Sequence, residues 1–310
     1  MTALLNLLAA IALLVWGTHI VRTGVLRVFG ARLRQVLHAG VERRWRAVAA
    51  GIGVTGVLQS STATALLVSS FVGQGLIATS AALTVMLGAD VGTAIMVQVF
   101  ALNLSWLAPL LIVAGVVTYL SRRKEVTGQA GKIALGLGVM ILALQLITQA
   151  TAPLAPTVGV QVLFAQLTGA LMLDIAIGVL AAVASYSGLA VVLLTATLAA
   201  SKVITVDVAL AIVLGANLGS GLLAVLTTLK AEAPVRRVPV GNLLFKLIAA
   251  AVAAPLLAMM PSWLALLGAA PKAMVVNFHL LFNVALAIAF VPFTGHFARL
   301  VERWLPAPPA

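Results

Sequence analysis

The sequence predicts an all-α polytopic membrane protein. It is expected to be two inverted-topology repeats, each with a re-entrant helical hairpin and a broken transmembrane helix, plus one extra C-terminal span. Three observations carry this reading. Of 310 residues, 63% are hydrophobic and only 8% charged, a balance that makes the bilayer the solvent. Sixteen of the nineteen Lys and Arg fall in four short polar segments, the pattern of cytoplasmic loops. The stretch GVTGVLQSSTATALL, from Gly53 to Leu67, has a relative further down the chain.

Residues 1–21 form the first span. Their basic residues come after the apolar run, the reverse of a secretory leader, so the segment is expected to be retained with its N-terminus outside. Residues 22–46 carry seven arginines interleaved with apolar residues and suit a helix lying in the interface, with a solvated basic loop as the alternative. A hairpin over 47–73, a broken helix over 76–101 and a span over 103–121 complete a first repeat, 1–121. The second repeat, 131–260, holds a span at 131–150, a hairpin at 168–200, a broken helix at 204–229 and a span at 240–260. An outer loop with Pro153 and Pro156 covers 151–167, and 274–297 is the last span.

Charge placement decides which segments turn back. Three apolar segments lie between Arg46 and Arg122, and three more between Lys132 and Lys230. Three full crossings would strand a basic cluster outside. One segment of each trio must therefore return to its own side, and the polar-centred ones, 47–73 and 168–200, are the candidates. Non-helical backbone at that depth needs protein or a water-filled cavity around it.

An ungapped offset of 127 residues aligns the halves. Leu87–Ala94, LGADVGTA, falls on Leu214–Gly221, LGANLGSG, with four identities. At the same offset Ser60 meets Ser187, Ala63 meets Ala190, and Gln59 meets Tyr186. Paired interrupted segments of this kind mark binding sites at the bilayer midplane. The glycine-rich stretches could instead be helix-packing surfaces.

Gln59-Ser60-Ser61-Thr62, LGADVGT, LGANLGS, VPVGNLLFKL (238–247) and VNFHLLFNVALAIAFVP (276–292) together resemble the type II sodium/phosphate cotransporter family in its short bacterial form. The resemblance implies a secondary transporter of inorganic phosphate in a bacterial plasma membrane, coupled to sodium, with the C-terminus cytoplasmic. Because the chain stops soon after Arg303, the cytoplasmic helical regulatory domain of many bacterial relatives is expected to be lacking. Two positions depart from the family pattern: Tyr186 stands where a second Gln is common, and Asp90 where Asn is usual.

Half-helix N-termini offer free N–H groups to an anion. The expected phosphate ligands are Gln59, Ser60, Ser61 and Thr62 from one tip and Ser185, Ser187 and Gly188 from the other. This is a cradle with no fixed full charge. Sodium prefers oxygens at broken helix ends, and the expected set is Asp90, Thr93, Asn217, Ser220 and Thr64. A buried carboxylate is costly in the bilayer, so Asp90 is expected to face a cavity or a partner; its blander role is a helix cap. Asn242, His279 and Asn283 are candidate site-lining residues, interhelical hydrogen bonding being their ordinary role. Lys246 is expected to snorkel to the cytoplasmic face, though it could attract phosphate or pair with Asp90. Asp174 is expected near the outer interface.

The absence of cysteine removes disulfides and thiolate metal sites. The net charge of +12 is spread in loop clusters with few aromatics, which argues against nucleic acid. The reading leaves room for a homo-oligomer. Two further readings compete: a phosphate exporter or proton-coupled carrier with Asp90 titrating, and, more remotely, an intramembrane hydrolase with Ser60 or Ser61 activated by Lys246 or His279.

Overall fold

The computed structural model describes residues 2–40, 43–122, 125–153 and 170–307. Among them every regular element is a helix, the economical solution where water cannot satisfy the backbone. Six stretches are long and apolar enough to cross a membrane: Thr2–Leu37, Thr79–Ala101, Val126–Thr151, Val206–Thr228, Ala233–Leu264 and Pro271–Trp304. Large apolar side chains, among them Leu110, Val113, Leu266 and Ile288, are exposed, as they would be against lipid. Exposed Trp45, Trp106, Trp263 and Trp304 stand at or near helix ends, where an aromatic belt would place them. The chain is a multi-pass membrane protein.

The first helix, α1 (Thr2–Gly40), is continuous for 39 residues. The separate interfacial helix expected from residue 22 is the same helix prolonged, because no proline interrupts 2–40. At 1.5 Å per residue it is about 58 Å long, nearly twice a hydrocarbon core of about 30 Å, so its arginine-rich half can project beyond the lipid. It packs along α6 (Val126–Thr151), with Gly17 and Gly24 against the Met140 and Ile133 side chains.

Two pairs of short helices lie over 47–73 and 168–200, where hairpins are expected. α2 (Arg44–Leu58) and α3 (Ser61–Gly73) have 15 and 13 residues. α7 (Leu171–Ala184) and α8 (Gly188–Ala200) have 14 and 13. Helices of this length reach roughly 20 Å, too short for a crossing. α5 (Leu107–Ser121) is also only 15 residues, shorter than the span expected over 103–121. The expected outer loop lies outside the described residues from 154 onward.

α4 (Thr79–Ala101) and α9 (Val206–Thr228) form the centre, with 78% and 83% of their most apolar windows buried. Both are unbroken through Gly88–Thr93 and Gly215–Gly221, which corrects the expectation of broken helices. Glycines four apart share one helix face, and here that face receives another backbone. A Cβ on Gly88 would strike the Val48 carbonyl oxygen, and one on Gly92 would lie 2.7 Å from that of Ile52. The same contacts recur 127 residues later: Gly215 against the Ile175 carbonyl, and Gly219 at 2.6 Å from that of Val179. Gly51 against Val85 and Gly178 against Ile212 complete each close approach from the opposite helix.

Beyond the centre, α10 (Ala233–Ala253) runs through a 3₁₀ turn into the short α11 (Met260–Leu264). α12 (Pro271–Phe290) leads through a Pro292 turn into α13 (Thr294–Trp304). Phe245 of α10 packs on Phe290 and Phe297, with centroids 5.0 and 4.7 Å away. This anchors the register of α10, and with it the neighbouring Lys246.

Gly88→Ala and Gly215→Ala should each lower the thermal midpoint in detergent, by the several degrees that about 2 kcal/mol of overpacking produces. A Cβ on Gly53 meets nothing within 4 Å, so Gly53→Ala should be neutral or stabilising by about 0.5–1 kcal/mol.

Candidate anion-binding site

Both tips are built the same way. Gln59 (φ 53) and Tyr186 (φ 54) adopt the left-handed conformation, ending α2 and α7. Ser60 and Ser187 then extend, with φ −155 and −156, and each accepts a hydrogen bond on its Oγ at 3.2 Å, from Ala63 N and Ala190 N respectively. These serines are N-caps. A cap satisfies only part of a first turn. The amides at the start of α3, Ser61 and Thr62, and at the start of α8, Gly188 and Leu189, stay available to a ligand.

The two starts converge on one small polar cavity. Its lining includes Gln59, Ser60, Ser61 and Thr62 from the first tip, and Ser187 and Gly188 from the second. Asp90, Thr93, Asn217, Ser220 and His279 close it. The cavity has a volume of about 20 Å³, room for roughly one water. Gln59 Oε1, Asp90 Oδ2 and His279 Nε2 are buried there without a hydrogen-bond partner. Thr62 Oγ1 donates to the Ser220 carbonyl at 3.4 Å, tying the first tip to α9.

Below the cavity runs a polar network. Asp90 Oδ1 lies 2.8 Å from Lys246 Nζ, with both side chains at most 2% exposed. Lys246 Nζ also donates to Ser220 Oγ at 2.9 Å, and Ser220 Oγ donates to the Asn217 carbonyl at 2.8 Å. Asn217 Nδ2 donates to the Val213 carbonyl and Asn283 Nδ2 to that of His279, which orients both amides. Both Nδ2 atoms then approach His279 Nδ1, at 3.1 and 3.3 Å. Nδ1 is the acceptor, so a neutral ring carries its proton on Nε2, the nitrogen left unpartnered. The snorkelling expected of Lys246 is corrected: it turns inward, since an unpaired Asp90 would cost more than the pair. Asn242 is buried and faces Asp90.

Several expected residues are spoken for elsewhere. Thr64 Oγ1 is 2.7 Å from Thr55 Oγ1 and donates to the Ser60 carbonyl, so it clasps the arms of the first hairpin rather than facing the cavity. Ser185 Oγ donates to the Ala181 carbonyl at 2.7 Å and lines an apolar groove beside α1. Thr93 Oγ1 donates to the Ala89 carbonyl at 3.2 Å while remaining in the cavity wall. Asp174, expected at the interface, is buried at 2% exposure. Neither Ser60 nor Ser61 hydrogen-bonds to His279 or Lys246 among the contacts of the described residues.

Sequence reasoning missed Arg22. Its guanidinium lines the cavity, and Nη2 donates to the Tyr186 carbonyl at 3.1 Å. The cradle therefore includes a full positive charge. The basic cluster hid it: as the first of seven arginines, Arg22 read as a loop charge. Its signal was position, the one arginine at the apolar border of α1.

Residues 13–149, which contain the first tip and Asp90, match the family model described as Na+/Pi-cotransporter. The match covers just under half of the chain. It is 53% identical over 98% of its length to the "Putative inorganic phosphate export protein YjbB" of Salmonella typhimurium. It is 51% identical over 97% of its length to the protein of the same name in Escherichia coli K12. In each case it covers 56% of the relative, so the chain spans about half the length of these curated relatives. The "Uncharacterized protein YqeW" of Bacillus subtilis is 24% identical over 99% of the chain and is covered completely. No solved structure matches the chain.

Removing one member of the buried pair leaves the other uncompensated. Lys246→Met should cost about 3–5 kcal/mol of stability, and adding Asp90→Asn should recover most of it, read as thermal midpoints of the purified protein in sodium-free buffer.

Proposed function

We propose that the chain is a secondary carrier of inorganic phosphate in the bacterial plasma membrane, working by alternating access around its two tips. The observation that carries this is convergence: the N-termini of α3 and α8 point bare amides into one cavity that Arg22 also lines. Two half-helix ends, hydroxyls and one guanidinium are the donors a hydrated oxyanion needs in exchange for its water. His279 Nε2–H adds another from below.

The halves act as inverted repeats. The matched tips, the matched glycine contacts and the left-handed turns at Gly75 (φ 71) and Lys202 (φ 59), all at one offset, support the repeat. Opposite insertion is supported by the neighbours of each hairpin. Arg44, at the start of α2, donates to the Pro292 carbonyl, next to the basic C-terminal helix. Ser201, at the end of α8, accepts from Thr151 at 2.9 Å, at the far end of α6 from the basic 122–132 segment. The C-terminus is then cytoplasmic and the N-terminus outside.

A cavity that takes one water does not admit a four-oxygen anion, so the tips have to part for loading and for release. Export is the direction we adopt, in line with the name of the enterobacterial relatives. Uptake driven by sodium is the second reading, favoured by the family's own description and by the oxygen-rich wall of Asp90, Thr93, Asn217 and Ser220.

Labelled phosphate should enter inverted vesicles, whose outer face is the cytoplasmic one, at a rate that depends on the protein. Ser60→Ala/Ser61→Ala should slow it strongly. Arg22→Gln should weaken phosphate dependence roughly 10- to 100-fold, the range of one lost charged hydrogen bond. Unchanged flux in both variants would defeat the proposal, and the sign of net flux at equal external and internal pH would separate export from uptake.

A further inference from the structure

We propose that the Lys246 ammonium is a tethered cation filling the place of a coupling ion, so that this carrier moves phosphate without sodium. The inference rests on the carrier reading and concerns the ion economy of the same site.

The ammonium occupies a seat made of oxygens. Asp90 Oδ1, at 2.8 Å, comes from α4, and Ser220 Oγ, at 2.9 Å, from α9. These are the two central helices, and both residues belong to the set that sequence marks for a cation. A monovalent ion placed between the halves would use the same carboxylate and the same hydroxyl. The chain supplies its own instead, carried on α10.

Charge balance argues the same way. The pair is neutral and nearly solvent-free, at 1% and 2% exposure. A sodium ion added beside it would leave a net positive charge in a buried, low-dielectric pocket, which is costly. The two copies also differ in step. Where the first carries Asp90, the second carries Asn217, and Tyr119 stands at the position of the first copy that matches Lys246. The ion pair is thus made across the copies, Asp90 of the first with Lys246 of the second, while the positions that match them hold Asn217 and Tyr119 and could form no ion pair.

The stem is accommodated as well as the head. A Cβ on Gly221 would come within 3.2 Å of Lys246 Cδ, tighter than side chains ordinarily pack. The glycine that ends the second LGANLGSG stretch keeps a channel for this side chain. Phe245, tilted against Phe290 and edge-on to Phe297, holds the helical register that aims it. Asp90 Oδ2 remains unpartnered at the cavity wall, so the fixed cation can steady the carboxylate without reaching the substrate itself.

The test compares sodium chloride with choline chloride at equal ionic strength on the purified full chain. The wild-type thermal midpoint should be the same in both salts. Lys246→Met should gain about 2–4 °C from sodium at several times its dissociation constant, because the vacated seat now binds the ion. Asp90→Asn/Lys246→Met should gain nothing. Wild-type phosphate flux in proteoliposomes should agree within twofold between the salts. Sodium stabilising the wild type as much as Lys246→Met, no sodium effect on a folded Lys246→Met, or a tenfold loss of wild-type flux in choline would each overturn the proposal. Should Lys246→Met fail to fold, the wild-type midpoints and flux still decide. Absence of phosphate flux in both salts would sink the carrier reading alone, and the sodium shifts would continue to judge the ammonium.

Discussion

The lipid core offers no water, and the structure turns on how it meets that constraint at two interruptions of the backbone. At Gln59-Ser60 and Tyr186-Ser187 the helix stops, and amides are left without intrahelical partners. Such groups survive only inside protein. The enclosure comes from glycine: α2 lies backbone-to-backbone on α4, and α7 on α9, through Gly51, Gly88 and Gly92 and their counterparts 127 residues on. Close packing of continuous helices makes discontinuous ones tolerable, with their exposed amides gathered around one cavity.

Much of this was legible in the residues. The tips announced themselves as polar knots in apolar runs, and the constant offset joined them. Asp90, Asn217, Ser220 and His279 stood out as polar groups on apolar helices, and they meet around one cavity. Three readings failed for identifiable reasons. Gly88 and Gly92 looked like a break because glycine weakens a helix in isolation; a neighbouring backbone at contact distance outweighs that weakness. Lys246 looked able to reach the interface because sequence measures distance along a helix, whereas its direction is set by which face packs on Asp90. Arg22 was lost in a crowd of equal charges, and only the turn of α1 brings it over the second tip.

The electrostatic design separates two tasks. Distributed partial charges of two helix ends and the charge of Arg22 lie at the cavity wall. Structural neutrality is assigned to the pair of Asp90 and Lys246 beneath it. The asparagine and histidine network from Asn217 to Asn283 and His279 links α9 with α12, so that the cavity floor is cross-braced by hydrogen bonds while its roof is two helix ends touching through few contacts.

The hydroxyl contact between Thr55 and Thr64 has no equivalent in the other copy, where Ala182 and Val191 occupy the matching places. One hairpin is buttoned across its arms and the other is merely nested. The two pairs of short helices thus differ in how their arms meet: a hydroxyl clasp joins the first, and the matching places of the second carry no hydroxyl at all.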